Sequence, residues 1–398
     1  MFNEKPIISK WVADMYDQKV TETNDVEFLL SVIGQESKKI LEVCCGSGRI
    51  LVPLARAGHD VTGFDTDEFM LSKIPENIQW RKADAVHDNW GTGFDVVVLA
   101  GNILYNIVSD MDYAKAQELF IRKAAAALAP GGHVYIDYNP GGSKLTRLEE
   151  SHESSGEWVV WEGTDSDGNF GRMILLGGSY DAVTQLDSFT RRFELTLKNS
   201  EKITQDIPCV KHFAPLDQLH GWLRDAGFII EQEYSDYNRN PIDENSSRVI
   251  IYARKKGQIE YKKIDDSILN KLVDIHGDNG GIIIRDDTFS LAAMDGDVPI
   301  GYICVTPRIL QYPLENIREA FIEVLDVDEN YRRQGIGQHL VQCGEAWAIK
   351  NGLRQIRTHS NDKAVEAIHM WNKLGYGLCP HVYYTEEGCR GYYVAKPL

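Results

Sequence analysis

Basic residues are scarce in this chain: 42 Lys and Arg stand against 59 Asp and Glu over 398 residues, for a net charge of −17 at pH 7. Both parts share the deficit, about −12 for residues 1–258 (27 against 39) and about −5 beyond (15 against 20). A general nucleic-acid surface is excluded, because neutralising phosphates takes a basic face. Long apolar runs are missing too. None approaches the roughly 18 residues of a membrane span, and the opening MFNEKPIISKW has no apolar signal core. The expected compartment is the cytoplasm, with no membrane partner. The seven cysteines are scattered, and only Cys44 and Cys45 lie close; adjacent residues are too constrained for an ordinary disulfide or zinc site. Reduced thiols and no metal are expected.

What is present is 43% apolar content in a chain two to three typical domains long, enough for more than one core. From Lys39 to Asp137 strand-like runs alternate with helical stretches: ILEVCC, HDVTGFD, IQWRKAD and FDVVVLAG, then an alanine-rich helix ending at Pro130-Gly131-Gly132, then HVYIDYNP. That is a βαβ series, so the expected class is α/β with a Rossmann-like, mostly parallel sheet. Between about 150 and 210 the period becomes two, with Phe193, Leu195 and Leu197 alternating with Glu194 and Thr196, which predicts an antiparallel insertion. The DSDGN turn at 165–169 is a poor calcium loop, because Phe170 stands where glycine is needed and Leu176 where a bidentate Glu is needed. Lys255-Lys256-Gly257-Gln258 reads as a linker, giving domains at 1–256 and 259–398.

Two loops carry the chemistry. Glu42-Val43-Cys44-Cys45-Gly46-Ser47-Gly48 follows the first strand, and Asp65 ends the second, 17 residues after Gly48. A carboxylate there reaches a bound ribose; the plainer reading is a turn whose Asp65 caps the next helix. Asp84 follows the third strand and Ala100-Gly101-Asn102 the fourth, while Leu51 replaces the third glycine of a dinucleotide fingerprint, which counts against a pyrophosphate and NAD. In ILEVCCGSGRILVPLARAGHDVTGFDTDEFML, Tyr16-Asp17, DYNP and LRDAGF, residues 1–256 resemble a class I S-adenosylmethionine-dependent methyltransferase acting on small molecules. The resemblance implies that Glu42, Gly46 and Gly48 shape a methionine pocket, Asp65 and Thr66 hold the ribose, Asp84, Ala85 and Ala100 flank the adenine, and Tyr16 closes over the cofactor. Cys44 stands where the family has its first glycine. Candidate acceptor-lining residues are Asn102, Tyr105, Asp137, Tyr138, Tyr180, Arg191 and His212, each of which also has a plain structural reading.

In the second part FIEVLDV leads to Arg332-Arg333-Gln334-Gly335-Ile336-Gly337 and an apolar helix. Helix-start amides with two guanidiniums suit a pyrophosphate, although a basic turn reads the same. With the strand QIRTHSN and the helix AVEAIHMWNKLGYG, residues 259–398 resemble the GNAT acyltransferases, an α+β fold. That implies acetyl-CoA held by Leu325 to Val327 and by Arg332, Arg333, Gln334, Gly335 and Gly337, with Asn361 on the pantetheine arm and Glu323 as base. The family's acid tyrosine is replaced by Trp371, so Tyr376, Tyr383 or Tyr384 substitutes, the thiolate leaves unassisted, or the domain binds CoA without turnover. The expectation is a bifunctional transferase using S-adenosylmethionine and acetyl-CoA on small-molecule acceptors. The alternative is a methyltransferase with a silent acyl-CoA-binding domain; acceptors and oligomeric state are not legible.

Overall fold

The structure is a computed structural model that describes residues 5–140, 157–243, 246–278, 280–310, 313–384 and 390–398, residues 381–384 by their backbone. The chain forms two compact units, Met1–Lys256 and Gly257–Leu398.

In the first unit the sheet strands are β1 (Lys39–Val43), β2 (Asp60–Asp65), β3 (Gln79–Lys82), β4 (Phe94–Leu99), β5 (Leu128–Tyr138), β10 (Phe228–Tyr234) and β11 (Val249–Lys255). They run in the order β10-β11-β5-β4-β1-β2-β3. The five from β5 to β3 are parallel, and β10 and β11 are antiparallel additions. Apolar residues on successive positions fill both faces, as a sheet covered on two sides requires. Leu41, Val43, Val97 and Leu99 join one core with α6 (Tyr113–Ala127), while Ile40, Val96 and Val98 join another with α2 (Asn24–Ile33) and α3 (Leu51–Arg56). Gly63 permits this packing: a Cβ there would lie 2.6 Å from Leu51 Cδ2 and 2.7 Å from Cys45 Sγ. The alanine-rich helix stops at Ala127, short of the expected Pro130, and β5 begins at Leu128. A Cβ on Gly132 would lie 3.0 Å from the Phe94 and Asp95 carbonyls, so that glycine serves close strand approach, while Gly131 supplies a left-handed residue (φ 76°).

The inserted strands β6 (Trp158–Thr164), β7 (Phe170–Asp181), β8 (Leu186–Thr196) and β9 (Lys202–His212) form a separate antiparallel sheet. Its inner face, with Met173, Phe193, Leu195 and Ile207, buries Ile8, Trp11 and Met15 of α1 (Pro6–Lys19). Trp11 Nε1 donates to the Gly163 carbonyl at 3.1 Å, and any side chain at Gly171 would overlap the indole.

The second unit has one sheet, ordered β12 (Ile259–Lys263), β13 (Phe289–Asp295), β14 (Val298–Ile309), β15 (Arg318–Val327), β16 (Gln355–Asn361), β18 (Arg390–Pro397) and β17 (Gly377–Tyr384). Parallel pairing of β15 with β16 is confined to Ala320–Ile356 and Phe321–Arg357. Beyond it the strands leave their C-terminal halves unpaired with each other. A bulge sets Glu323 outside the β14–β15 register, between Cys304–Val324 and Val305–Ile322. Of the helices α8 (Asp266–His276), α9 (Ile336–Lys350) and α10 (Val365–Lys373), α9 starts directly at the arginine-glycine loop. Among the described residues no helix is long and apolar enough to cross a membrane, and no group of three or more His, Cys, Asp or Glu could hold a metal.

Candidate functional site

The turn after β1 is built from left-handed residues: Cys44 (φ 58°), Gly46 (φ 54°) and Gly48 (φ 82°). Asp65 fastens it. Its Oδ2 accepts the Gly46 amide at 3.0 Å and its Oδ1 the Asp67 amide at 3.0 Å, while burial pushes its pKa up. The cap of the following helix, α4 (Glu68–Leu71), is Asp67, so Asp65 is not that cap. Glu42 is only 5% exposed, and its Oε2 has no hydrogen-bond partner. Burial raises its pKa to about 8, with Arg49 opposing the shift. An orphaned carboxylate oxygen beside a positive-φ turn fits a ligand bearing an ammonium group.

The first helix lies over this turn. Ser47 Oγ donates to Asp17 at 2.7 Å, and Lys73 pairs with Asp14 at 2.7 Å and Asp17 at 3.0 Å. Arg49 pairs with Asp25 and reaches the Tyr16 hydroxyl at 3.4 Å; the Tyr16 ring meets Trp161 edge-on at 6.3 Å. Tyr16, Glu42, Gly46, Gly48 and Asp65 therefore come together. Asp84 closes its own turn, its Oδ1 accepting the Val86 and His87 amides at 2.7 and 3.3 Å, and Ala85 behind it is buried. Thr66 is exposed and Ala100 half-buried.

At the ends of β4 and β5, Asn102 adopts a left-handed conformation (φ 61°) and leaves Oδ1 buried without a partner. Tyr105, with a hydroxyl pushed up to about 12 by burial, stacks near Phe213 (5.1 Å) and Tyr138 (6.3 Å), and the Lys211 ammonium sits 4.4 Å from its ring. Arg191 lies over Phe189 at 5.8 Å, and it is the neighbouring Arg192 that pairs with Asp206. Tyr180 is half-buried on β7 and adds to the upward shift that burial imposes on the Tyr138 hydroxyl. Asp137 is spent, since Arg248 (2.9 Å) and Tyr237 (2.6 Å) hold it. His212 faces elsewhere. Strand alternation turns Lys211 and Phe213 toward Tyr105 and His212 toward α6, where its Nδ1 meets Gln117 Oε1 at 2.7 Å. The Gln117 amide already donates to the Leu104 and His212 carbonyls, so His212 Nδ1 carries the proton, and burial keeps the ring neutral.

In the DSDGN turn Asp165 accepts the Asp167 and Asn169 amides at 3.0 and 2.8 Å. Its carboxylate is satisfied by the turn itself.

In the second unit Arg333 (φ 63°) and Gly335 (φ 85°) shape the start of α9. Arg332 Nε donates to the Val327 carbonyl at 3.0 Å, Gln334 to that of Asn330 at 3.3 Å, and exposed Arg333 lies 3.7 Å from Glu366. A Cβ on Gly337 would be 3.3 Å from Met370 Sδ, so α10 flanks the loop. Leu325 pairs with Ile303 and Val327 with Gly301, leaving their other edge to the gap beside β16. Asn361 Oδ1 accepts the Lys363 and Ala364 amides at 3.0 and 3.1 Å and so starts α10. Glu323 is not a free base: Arg308 grips both oxygens at 2.7 and 2.8 Å, and Thr306 donates to one. Tyr376 is 3% exposed, packed on Trp371 (4.9 Å) and under Lys396, with its pKa raised by burial; it shares no partner with Glu323. The Tyr383 and Tyr384 side chains lie outside the described residues.

Residues 40–132 match the family model described as a methyltransferase domain, and residues 217–376 the one described as the acetyltransferase (GNAT) family. The chain joins a methyltransferase domain to a GNAT-family domain. The GNAT match begins inside α7 (Leu216–Asp225) of the first unit and stops before β17. Glycine N-methyltransferase of Rattus norvegicus is 25% identical over 128 residues, 28% of this chain and 44% of that protein. The ubiquinone biosynthesis O-methyltransferase of Methylobacterium nodulans is 32% identical over 105 residues, 24% of this chain and 39% of that protein. A solved S-adenosylmethionine-dependent methyltransferase from Clostridium acetobutylicum aligns with a TM-score of 0.47 at 13% identity, covering 62% of this chain and 98% of that one. The chain spans less than half the length of the curated relatives it matches.

Within the methyltransferase domain, sequence reasoning missed Lys211, Phe213, Arg248, Trp161 and Lys123. Two of them had a signal: period-two alternation along β9 makes 211 and 213 partners in facing, with 212 opposed. The other three are joined to the site only through tertiary contacts.

Proposed function

We propose that the chain is a cytoplasmic transferase with two sites, moving a methyl group from S-adenosylmethionine and an acetyl group from acetyl-CoA to small-molecule amines. The carrying observation is Glu42, a buried carboxylate with an orphaned oxygen at the mouth of a left-handed turn whose loop is pinned by Asp65. Bound there, S-adenosylmethionine supplies an activated methyl group, so the protein's task is to bind, align and exclude water. Glu42 would hold the ammonium of the cofactor, Asp65 its ribose hydroxyls and Asp84 with Ala85 its adenine, under Tyr16 of α1. The acceptor would rest on Tyr105, Tyr138 and Phe213, with Arg191 favouring an amine that also bears an anionic group. In the GNAT domain the loop from Arg332 to Gly337 would take the CoA pyrophosphate, and the unpaired edge from Leu325 to Val327 the pantetheine arm.

A second reading of the GNAT domain has its own support. Glu323 is locked by Arg308 and Thr306, Trp371 stands in place of the acid, and Tyr376 is buried, which suits a domain that binds acyl-CoA without turnover. Calorimetry with S-adenosylhomocysteine and with CoA tests both sites directly. A mass-spectrometric screen of amines and amino sugars with both cofactors then separates the readings: methylated and acetylated products support two activities, methylation alone supports the sensor, and absence of binding to both ligands refutes the proposal.

A further inference from the structure

Lys123, on α6, is spent in an unusual way. Its ammonium donates to three carbonyls of a single turn, Ala85 (2.8 Å), Val86 (2.7 Å) and Asp88 (2.8 Å). Trp90 adds a donor to the Ala85 carbonyl at 2.9 Å, and its ring lies 5.6 Å from the ammonium. Three carbonyl dipoles curled toward one point repel each other unless a cation sits among them. The amide side of the same turn is tied the other way: Asp84 Oδ1 accepts from Val86 and His87, and the Asp84 amide donates to Asp88 at 2.7 Å. The backbone from 84 to 88 is thus held from both sides, and the Asp84 carboxylate with it.

We propose that Lys123 is a positioning residue for the adenine end of the cofactor site, its ammonium acting as a built-in monovalent cation that shapes the Asp84–Asp88 turn without touching the cofactor. The inference rests on the methyl-transfer reading, in which Asp84 and Ala85 flank the adenine. Removing three charge-assisted hydrogen bonds leaves the carbonyls converging on nothing, so the turn relaxes and the adenine contacts are lost first.

The test is calorimetry with S-adenosylhomocysteine on the full chain, its Lys123→Met and Lys123→Ala variants, each with a thermal melt. Both variants should weaken binding by roughly tenfold or more, while the melt keeps its cooperativity. In Lys123→Ala, ammonium chloride should restore part of the affinity where sodium chloride at equal ionic strength does not, because an ammonium ion can refill the three-carbonyl cradle. Affinity within twofold of the parent overturns the inference. So does a loss that merely tracks the unfolded fraction and does not respond to ammonium, which would leave Lys123 a tie between α6 and β3. Failure of the parent chain to bind would instead overturn the methyl-transfer reading.

Discussion

Glu42→Gln should stabilise the protein and weaken cofactor binding, with both effects dependent on pH. Folding moves this carboxyl from an ordinary value of 4.5 to about 8, chiefly by burial. An acid whose pKa is raised on folding takes up a proton, so its ionisation opposes folding from pH 4.5 upward, and the penalty stops growing above pH 8. At pH 7 the penalty spans 2.5 pH units, worth roughly 3.5 kcal/mol at about 1.4 kcal/mol per unit. A neutral glutamine of the same shape escapes it. Denaturant unfolding should find the variant more stable by that order at pH 7 to 8 and nearly equal to the parent near pH 4.5. Binding runs the opposite way. A ligand ammonium selects the ionised carboxylate, so parent affinity for S-adenosylhomocysteine should climb with pH toward 8, by up to about tenfold per unit, then flatten. Calorimetry in two buffers of different ionisation enthalpy should register close to one proton released at pH 7 in the parent and none in the variant. An equal stability difference at pH 4.5 and 8, or binding without proton release, would refute the reasoning.

Asp65→Ala should lower the melting temperature as well as cofactor affinity, because it removes the acceptor for both Gly46 and Asp67, each such charged hydrogen bond being worth about 1.5 to 3 kcal/mol; lost affinity with an unchanged melt would leave the turn independent of Asp65. Cys44→Gly relieves a left-handed non-glycine residue and should raise the urea midpoint by the equivalent of about 1 kcal/mol, a gain that a lower midpoint would disprove. In the GNAT domain Trp371→Tyr should leave CoA affinity unchanged and raise acetyl transfer, since a positioned acid contributes roughly 10² to 10⁴-fold; no gain in rate would favour the sensor reading.

The parallel sheet was legible because both its faces are covered, which makes each strand a continuous apolar run that few alternatives mimic. The insertion was legible for the complementary reason: Phe193 and Leu195 are buried while Glu194 and Thr196 face outward, a period only a one-sided strand needs. What stayed hidden is what joins these elements. Trp11 sits in a largely polar helix, and only the missing side chain of Gly171, more than 150 residues on, makes room for it, as that of Gly163 does for Met15. The same distance separates Asp14 from Ser166, whose amide it accepts at 2.8 Å while its other oxygen holds Lys73.

His212 shows why a residue's type is weaker evidence than its parity. Lys211, His212 and Phe213 each have a plausible role at an acceptor site, and composition cannot choose among them. The strand chooses, because Phe213 must reach the Tyr105 ring, which commits Lys211 to the same side and turns the imidazole to Gln117. Glu323 makes the same point through charge. The resemblance makes it a candidate base, yet Arg308 and Thr306, on the neighbouring strand, take its oxygens, and nothing in the local sequence announces that pairing. In the two-activity reading, turnover of the GNAT domain would depend on how readily a substrate amine displaces a guanidinium from this half-buried carboxylate. An acceptor that carries its own anionic group could offer Arg308 a replacement partner while its amine takes Glu323.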